Sequence, residues 1–204
     1  MKKLITLLLV LVSLNGYSQI SIDNEKIENL CFELHNTYRD SSTQRITFVG
    51  CKKASDFQVD YLYKNNVVTH KNPTYGYQTQ EERFSKFNIE TVRLKKYYDN
   101  TKYFEVPKYR YEGEIITYCN NHSFKVDSLL EKNISKRIIN NFVKSKGHFY
   151  EMTYTYNENK NEYGYFSVRT KIIKYDEEKN LVYLNIYCVG VFGYDKSYLP
   201  EKLF

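Results

Sequence analysis

The sequence predicts a mixed α+β fold, a three-layer α-β-α sandwich with a central antiparallel sheet. Apolar residues recur at helical spacing in much of the first two thirds of the chain, whereas apolar and polar residues alternate in the last third. The final run, Leu181–Phe192, is apolar on both of its faces. Because a strand buried on both faces needs a covering layer on each side, this order of elements favours helices above and below the sheet.

Four helices are predicted from the apolar periodicity and from residues typical of helix ends. Asp23 is the expected N-cap of the first helix, because its carboxylate can accept from the free amides of the first turn. Asn65-Asn66 is expected to end the second helix, and Thr79 with Glu82 matches a capping box that starts the third. The helices are expected over Asn24–Arg39, Cys51–Lys64, Thr79–Phe87 and Val126–Val143.

The last third predicts a meander of antiparallel strands. Alternation indicates strands at Tyr150–Tyr156 and Tyr165–Ile173, before the two-sided run that starts at Leu181. The polar stretches Asn157–Gly164 and Asp176–Asn180 are expected to be turns.

The first residues have the composition of a secretory signal peptide, predicted over residues 1–18. Lys2 and Lys3 form a basic start, and the apolar run Leu4–Leu14 is too short to span a bilayer. Small residues precede a cleavage after Ser18. We therefore expect a secreted protein, extracellular or periplasmic, without a transmembrane anchor.

The remaining chain, residues 19–204, is expected to form one domain. Its tyrosine-dense segment 89–112 is interpreted as an elaboration whose tyrosines either pack or form a binding surface, with an edge strand at Lys108–Glu112. Without Lys2 and Lys3 the formal net charge of +6 becomes +4 (6 − 2), an ordinary surface balance, and the one dense basic cluster, Arg93–Lys96, is interpreted as a solvated edge. The sequence thus predicts no nucleic-acid partner.

Four cysteines, Cys31, Cys51, Cys119 and Cys188, follow the predicted cleavage point. An oxidising compartment permits disulfides, and four cysteines allow three complete pairings that the sequence leaves open, as it does the alternative of buried thiols. Cys119 and His122 are three residues apart, which is only a weak zinc signal without a second close pair.

Two histidines and one carboxylate are the candidate functional residues. His70 lies just past a predicted helix end, His148 follows Gly147 at the expected end of another helix, and Glu114 lies in Gly113-Glu114-Ile115-Ile116. An imidazole with an ordinary pKa of about 6.5 suits metal binding or proton transfer. The structural alternative is a polar cluster that holds helix ends to the sheet.

Several motifs, in order along the chain, resemble those of the CAP superfamily of cysteine-rich secretory, antigen five and pathogenesis-related proteins, and most closely its short bacterial SCP-like branch. The resemblance covers residues 27–89, 113–149 and 181–193. Its motifs are Leu34-His35-Asn36-Thr37-Tyr38-Arg39, the helix Cys51–Lys64 leading to His70, Asn72-Pro73 with Arg83, Gly113-Glu114-Ile115-Ile116, Asn141–His148 and Val191-Phe192-Gly193.

The resemblance implies an α-β-α fold with one open cleft lined by His70, Glu114 and His148. In that reading the two histidines hold a divalent cation such as zinc, and Ser145 stands near the place of a second cleft glutamate in longer members. This chain departs from the family at Ile115, where asparagine is usual, at Phe142, where tryptophan is usual, and at Lys146, where proline is usual.

Three functions follow as hypotheses. The first is a secreted module that binds a small molecule, lipid or protein partner through the cleft or the tyrosine-rich edge. The second is a metal-assisted or general-base hydrolase with Glu114 as the candidate catalytic residue. The third is a lipid or sterol binder, as some family members are. Binding is preferred over catalysis because the chain has no Gly-x-Ser-x-Gly nucleophile pattern and lacks the usual asparagine beside Glu114.

Overall fold

The computed structural model describes residues 20–38, 49–90, 113–153 and 163–195. These residues form five helices and four strands. In chain order they are α1 (Asn24–Asn36), α2 (Val49–Asn65), α3 (Gln80–Lys86), β1 (Ile89–Glu90), β2 (Glu114–Lys125), α4 (Leu130–Lys144), α5 (Lys146–Thr153), β3 (Tyr163–Asp176) and β4 (Leu181–Asp195). The predicted mixed α+β class is confirmed. The predicted signal peptide and residues 91–112 of the predicted elaboration 89–112 lie outside the described residues.

Strand β4 is the centre of an antiparallel sheet, as its two-sided apolar pattern predicts. It pairs with β2 on one side and with β3 on the other, and the short β1 pairs with its last residues. Alternate residues of β4 are therefore buried on opposite faces. Leu184, Ile186 and Cys188 belong to one apolar cluster, while Tyr187 and Val189 belong to the other.

Helices cover both faces of this sheet. One cluster joins α1, α4 and α5 to the face that carries Ile186, and Ile27, Ile134, Ile138 and Phe142 are fully buried in it. The second cluster joins α2 and α3 to the face that carries Tyr187. The strand β4, predicted from the sequence to be apolar on both faces, thus has helices packed against each face.

The helix signals in the first half are confirmed, with shorter bounds at some ends. The Asp23 carboxylate accepts from the Lys26 amide at 2.9 Å, and Thr79 with Glu82 forms the predicted capping box. Asn66 has φ 53°, the left-handed conformation expected where α2 stops. His35, interpreted from the sequence as packing or surface, is fully buried beside the rings of Phe32, Phe166 and Phe192.

Two predictions in the second half are wrong. The alternating run that starts at Tyr150 is predicted as a strand, but residues 146–153 form α5, and Gly147 lies inside this helix instead of ending the previous one. The strand β2 was not predicted as a strand. Its burial follows no clean alternation, because residues 114–117 are all buried and a bulge between Cys119 and His122 then interrupts the pairing with β4.

The four cysteines are all buried. Cys31, Cys119 and Cys188 lie in the cluster on one face of the sheet, whereas Cys51 lies in the cluster on the other. With the sheet between them, Cys51 cannot reach any of the other three at disulfide distance. None of the three complete pairings allowed by the sequence is therefore compatible with this fold.

Among the described helices, none is long and apolar enough to cross a bilayer.

A polar cluster links α1 and α2 across the edge of β3. The carboxylate of Glu28 accepts from the Val168 amide at 2.8 Å and from the Tyr165 hydroxyl at 3.1 Å. Arg169 donates to Asp60 at 2.8 Å from the same strand. Glu28 is buried, and this burial is the main cause that raises its pKa above the ordinary 4.5, opposed by the Val168 and Tyr165 hydrogen bonds.

We expect Glu28→Gln to remove a pH dependence of stability. Because the folded-state pKa is raised, the folded chain holds more protons than the unfolded chain just above pH 4.5, so this group's contribution falls as pH rises through that window. Glutamine keeps an acceptor for the Val168 amide but does not titrate. Urea unfolding of both proteins at about pH 4 and about pH 7 measures the difference. The stability of wild type relative to the variant should be higher at the lower pH, and an increase towards neutral pH would contradict the assignment.

Candidate functional site

His70 is carried by the loop between α2 and α3, which is held by buried amide side chains. The Gln58 amide donates to the Thr69 carbonyl at 2.8 Å and accepts from the Asn72 side chain at 3.2 Å. Asn72 is itself buried, and its side-chain oxygen accepts from the Thr74 amide at 3.0 Å. The position of His70 is thus set by contacts within the fold.

Arg83 and Glu114 form a fully buried ion pair beside this loop. The guanidinium donates through Nη2 to both Glu114 oxygens, at 2.6 Å and 2.8 Å, and both side chains are 0% exposed. Arg83 also donates to the backbone carbonyls of His70, at 2.9 Å, and Tyr77, at 3.1 Å. One side chain of α3 therefore ties the start of β2 to the loop that carries His70.

The Glu114 carboxylate also orients the His70 ring. His70 Nδ1 lies 3.0 Å from Glu114 Oε1. A carboxylate paired with arginine can only accept, so the hydrogen of the imidazole must be on Nδ1 for this contact to be a hydrogen bond. The lone pair of neutral His70 is then on Nε2, and the side chain is 43% exposed. This is the tautomer in which Nε2 can bind a cation or accept a proton.

Gln80 completes the surroundings of the His70 ring. Its side-chain amide lies 3.1 Å from His70 Nδ1, and the residue is buried. The amide atom nearest the ring is Nε2, so a hydrogen on Nδ1 requires the Gln80 amide to be turned until its oxygen faces the ring. The tautomer is therefore assigned from the Glu114 contact alone.

His148 lies in the first turn of α5, which contacts β2. Its ring meets the Phe142 ring edge-on, with 5.5 Å between centroids. Burial lowers the pKa of His148 below its ordinary value, and the charge of His70 lowers it further. The two imidazoles are therefore within electrostatic reach, and His148 stays neutral to lower pH than a free histidine.

Ser145 connects α4 to α5. Its amide donates to the Phe142 carbonyl at 3.1 Å, and its own carbonyl accepts from the Phe149 amide at 2.8 Å. This backbone pattern lets one helix end and the next begin within two residues. It explains why His148 is only three residues beyond Ser145 yet already in a helix.

The structure brings His70 and Glu114 into contact, and the link from His148 to them is the charge of His70, which lowers the pKa of His148. Sequence reasoning missed Gln80 as a site residue and noted Arg83 only as part of a motif. A signal was present, because Gln80, Arg83 and Phe84 lie on one face of the capping-box helix, and all three are buried. An arginine on the buried face of a short helix needs a carboxylate partner.

The donor set fits a divalent cation only as an open site. Both Glu114 oxygens accept hydrogen bonds from Arg83, and one of them also contacts His70. The carboxylate is therefore already occupied by these two side chains. In the part of the chain that the structure describes, no group of three or more histidine, cysteine or acidic side chains could hold a metal ion. His70 and His148 can supply two imidazoles, and the remaining ligands of a zinc ion must then come from water or a bound molecule.

No family model matches the chain, and searches of curated proteins and of solved structures also found no match.

Proposed function

We propose that this chain is a secreted CAP-like protein with an α-β-α sandwich, and that it binds a ligand in the cleft of His70 and His148. The fold supports this proposal because β4 lies inside the antiparallel sheet and helices cover both of its faces. The order of motifs supports it further. His70 from the loop before α3 and Glu114 at the start of β2 are in contact, which agrees with the cleft that the resemblance implies.

The observation that carries the proposal is the chain of contacts from Arg83 through Glu114 to His70. The fully buried ion pair of Arg83 and Glu114 makes these two side chains and His70 act as one unit. In this unit the His70 imidazole has its hydrogen on Nδ1 and its lone pair on Nε2. Outer partners of this kind orient a metal-binding histidine. His148, whose pKa is lowered mainly by burial, is the proposed source of a second lone pair.

This geometry favours binding over hydrolysis. As a general base Glu114 would need access to water, but its side chain is 0% exposed and both oxygens already accept hydrogen bonds. The place of Ser145 in the structure is explained by its role in joining α4 to α5. A ligand with a carboxylate or a similar oxygen donor would complete the coordination of a cation held by two imidazoles, and this polar site suits it better than a sterol.

We expect zinc to bind the protein at about pH 7.5 and to bind more weakly at about pH 5.5, because both imidazoles must be neutral to coordinate it. His70→Ala and His148→Ala should each weaken binding by about tenfold or more. Isothermal titration calorimetry measures these affinities. His122→Ala is the matched control, since His122 is a histidine on β2 whose ring packs against Phe124 and is not part of the proposed cleft.

Two outcomes would contradict the proposal. Wild-type affinity retained in both His70→Ala and His148→Ala would place the metal elsewhere. A loss confined to His122→Ala would move the site to the neighbourhood of Cys119 and His122.

A further inference from the structure

The outer edge of β3 has two unlike halves. In the first half the edge is covered, because the Val168 amide donates to Glu28 and the Thr170 hydroxyl donates to Asn24 at 2.9 Å. In the second half all five consecutive residues Lys171–Tyr175 are exposed. Ile172 is 43% exposed, Ile173 48% and Tyr175 36%. Three of these five residues are large and apolar, the other two are Lys171 and Lys174, and an exposed strand edge is a template for pairing with another strand.

The register of β3 shows which backbone groups point outward. The Val168 amide points away from β4, since it donates to Glu28, and every second residue in the ladder shares this direction. A bulge at Ile173 adds one residue, so Ile172 and Tyr175 are successive outward positions although they are three apart in sequence. The β3 residues whose backbone groups point outward lie opposite these β4 residues: Val168↔Cys188, Thr170↔Ile186, Ile172↔Leu184 and Tyr175↔Val182.

The bulge also places Ile172 and Tyr175 on the same face of the sheet. Their partners on β4, Leu184 and Val182, both belong to the cluster under α1 and α4. Without the additional residue the two side chains would point to opposite faces. Because Ile173 has no partner of its own on β4, Ile172 and Tyr175 each lie one ladder step from Lys174. The bulge therefore makes this short edge segment symmetric about Lys174.

We propose that two copies of this chain form a dimer by antiparallel pairing of this edge, with the two-fold axis at Lys174. In that register Ile172 lies opposite the partner's Tyr175, and the same pair forms again on the other side of the axis. Both residues have outward amides and carbonyls, so each pair exchanges two backbone hydrogen bonds. Closed two-fold symmetry is the commonest arrangement of a self-complementary surface.

The side chains in this register are complementary. A β-branched residue opposite an aromatic one is a favourable cross-strand pair, and Lys171 lies opposite the partner's Asp176. Lys174 would face its own copy on the axis, but its ammonium lies over the Tyr183 ring of the same chain, 5.8 Å from the centroid. This self-complementarity is the reason to choose a second copy of the chain over an unrelated strand as the occupant.

Analytical ultracentrifugation of the full chain over a concentration series tests the dimer. We expect a monomer–dimer equilibrium for wild type, and about tenfold or greater weakening for Ile172→Lys, which places a charge in both central pairs. Val68→Lys is the matched control, because Val68 is also β-branched and 53% exposed but lies in the loop between α2 and α3 and not on β3. It should leave the equilibrium unchanged.

A charge exchange tests the register. Lys171→Asp should weaken the dimer, and adding Asp176→Lys should restore it, since the opposite-charge pairs re-form. Because Asp176 also accepts from the Lys179 amide at 3.2 Å, circular dichroism and thermal melts must show that the double variant is folded. A wild-type chain that is monomeric at every concentration would overturn the proposal. A dimer that Ile172→Lys leaves intact would overturn it as well.

Discussion

Arg83→Met is expected to lower the free energy of unfolding by about 3–5 kcal/mol, one of the largest effects of any single substitution in this chain. Methionine fills much of the volume but donates no hydrogen bond. Glu114 would remain buried with an unpaired charge, and the carbonyls of His70 and Tyr77 would lose their donor. Urea or guanidinium unfolding followed by circular dichroism measures the loss.

Lys26→Met is the matched control for this prediction. Lys26 pairs with Glu131 at 3.1 Å but its side chain is 53% exposed, so the substitution should cost no more than about 1 kcal/mol. The double variant Arg83→Met/Glu114→Gln should lose less than the sum of the two single losses, because it also removes the unpaired charge. A loss for Arg83→Met as small as for Lys26→Met would show that the ion pair does not organise the site.

The Arg83 variant also tests the proposed function. If the variant is folded, His70 loses the unit that orients its ring, and zinc affinity should fall by about 10–100-fold. Unchanged zinc affinity in a folded Arg83→Met protein would show that His70 does not depend on Glu114 and Arg83 for its orientation.

Gly190→Ala is expected to destabilise the fold by about 1–3 kcal/mol. Gly190 lies on β4, where a Cβ atom would be 2.8 Å from Ile115 Cγ1 and 3.0 Å from Phe166 Cε1. Both neighbours are buried in the same cluster, so relief requires movement of a packed core. Thermal and urea unfolding of the variant measure the effect.

Gly147→Ala should have the opposite effect. Gly147 lies within α5, and no atom is within 4 Å of the position a Cβ would take. Alanine is favoured over glycine in a helix by up to about 1 kcal/mol, so this substitution should stabilise the chain.

If Gly190→Ala were as stable as wild type, the close approach of Ile115 and Phe166 to β4 would not be a constraint on the core.

The sequence predicted best those elements whose signals are local. Asp23, Thr79 and Glu82 each act through a hydrogen bond within three residues, and the structure contains these bonds. The strand β4 was predicted because its apolar pattern reports burial on both faces whatever covers it. Alternation failed at Tyr150, where a short helix follows Ser145 directly, because a run of a few residues can match both periods.

The sequence by itself determined the class of the fold and the central position of β4. Only the tertiary structure decided that Arg83 and Gln80 belong to the site, that Glu114 orients His70, and that Cys51 lies on the opposite face of the sheet from the other cysteines. The physical reason is the range of the interactions. Caps and apolar periodicity are readable within a few residues, whereas a buried ion pair joins side chains 31 positions apart that only the packing of α3 on the sheet brings together.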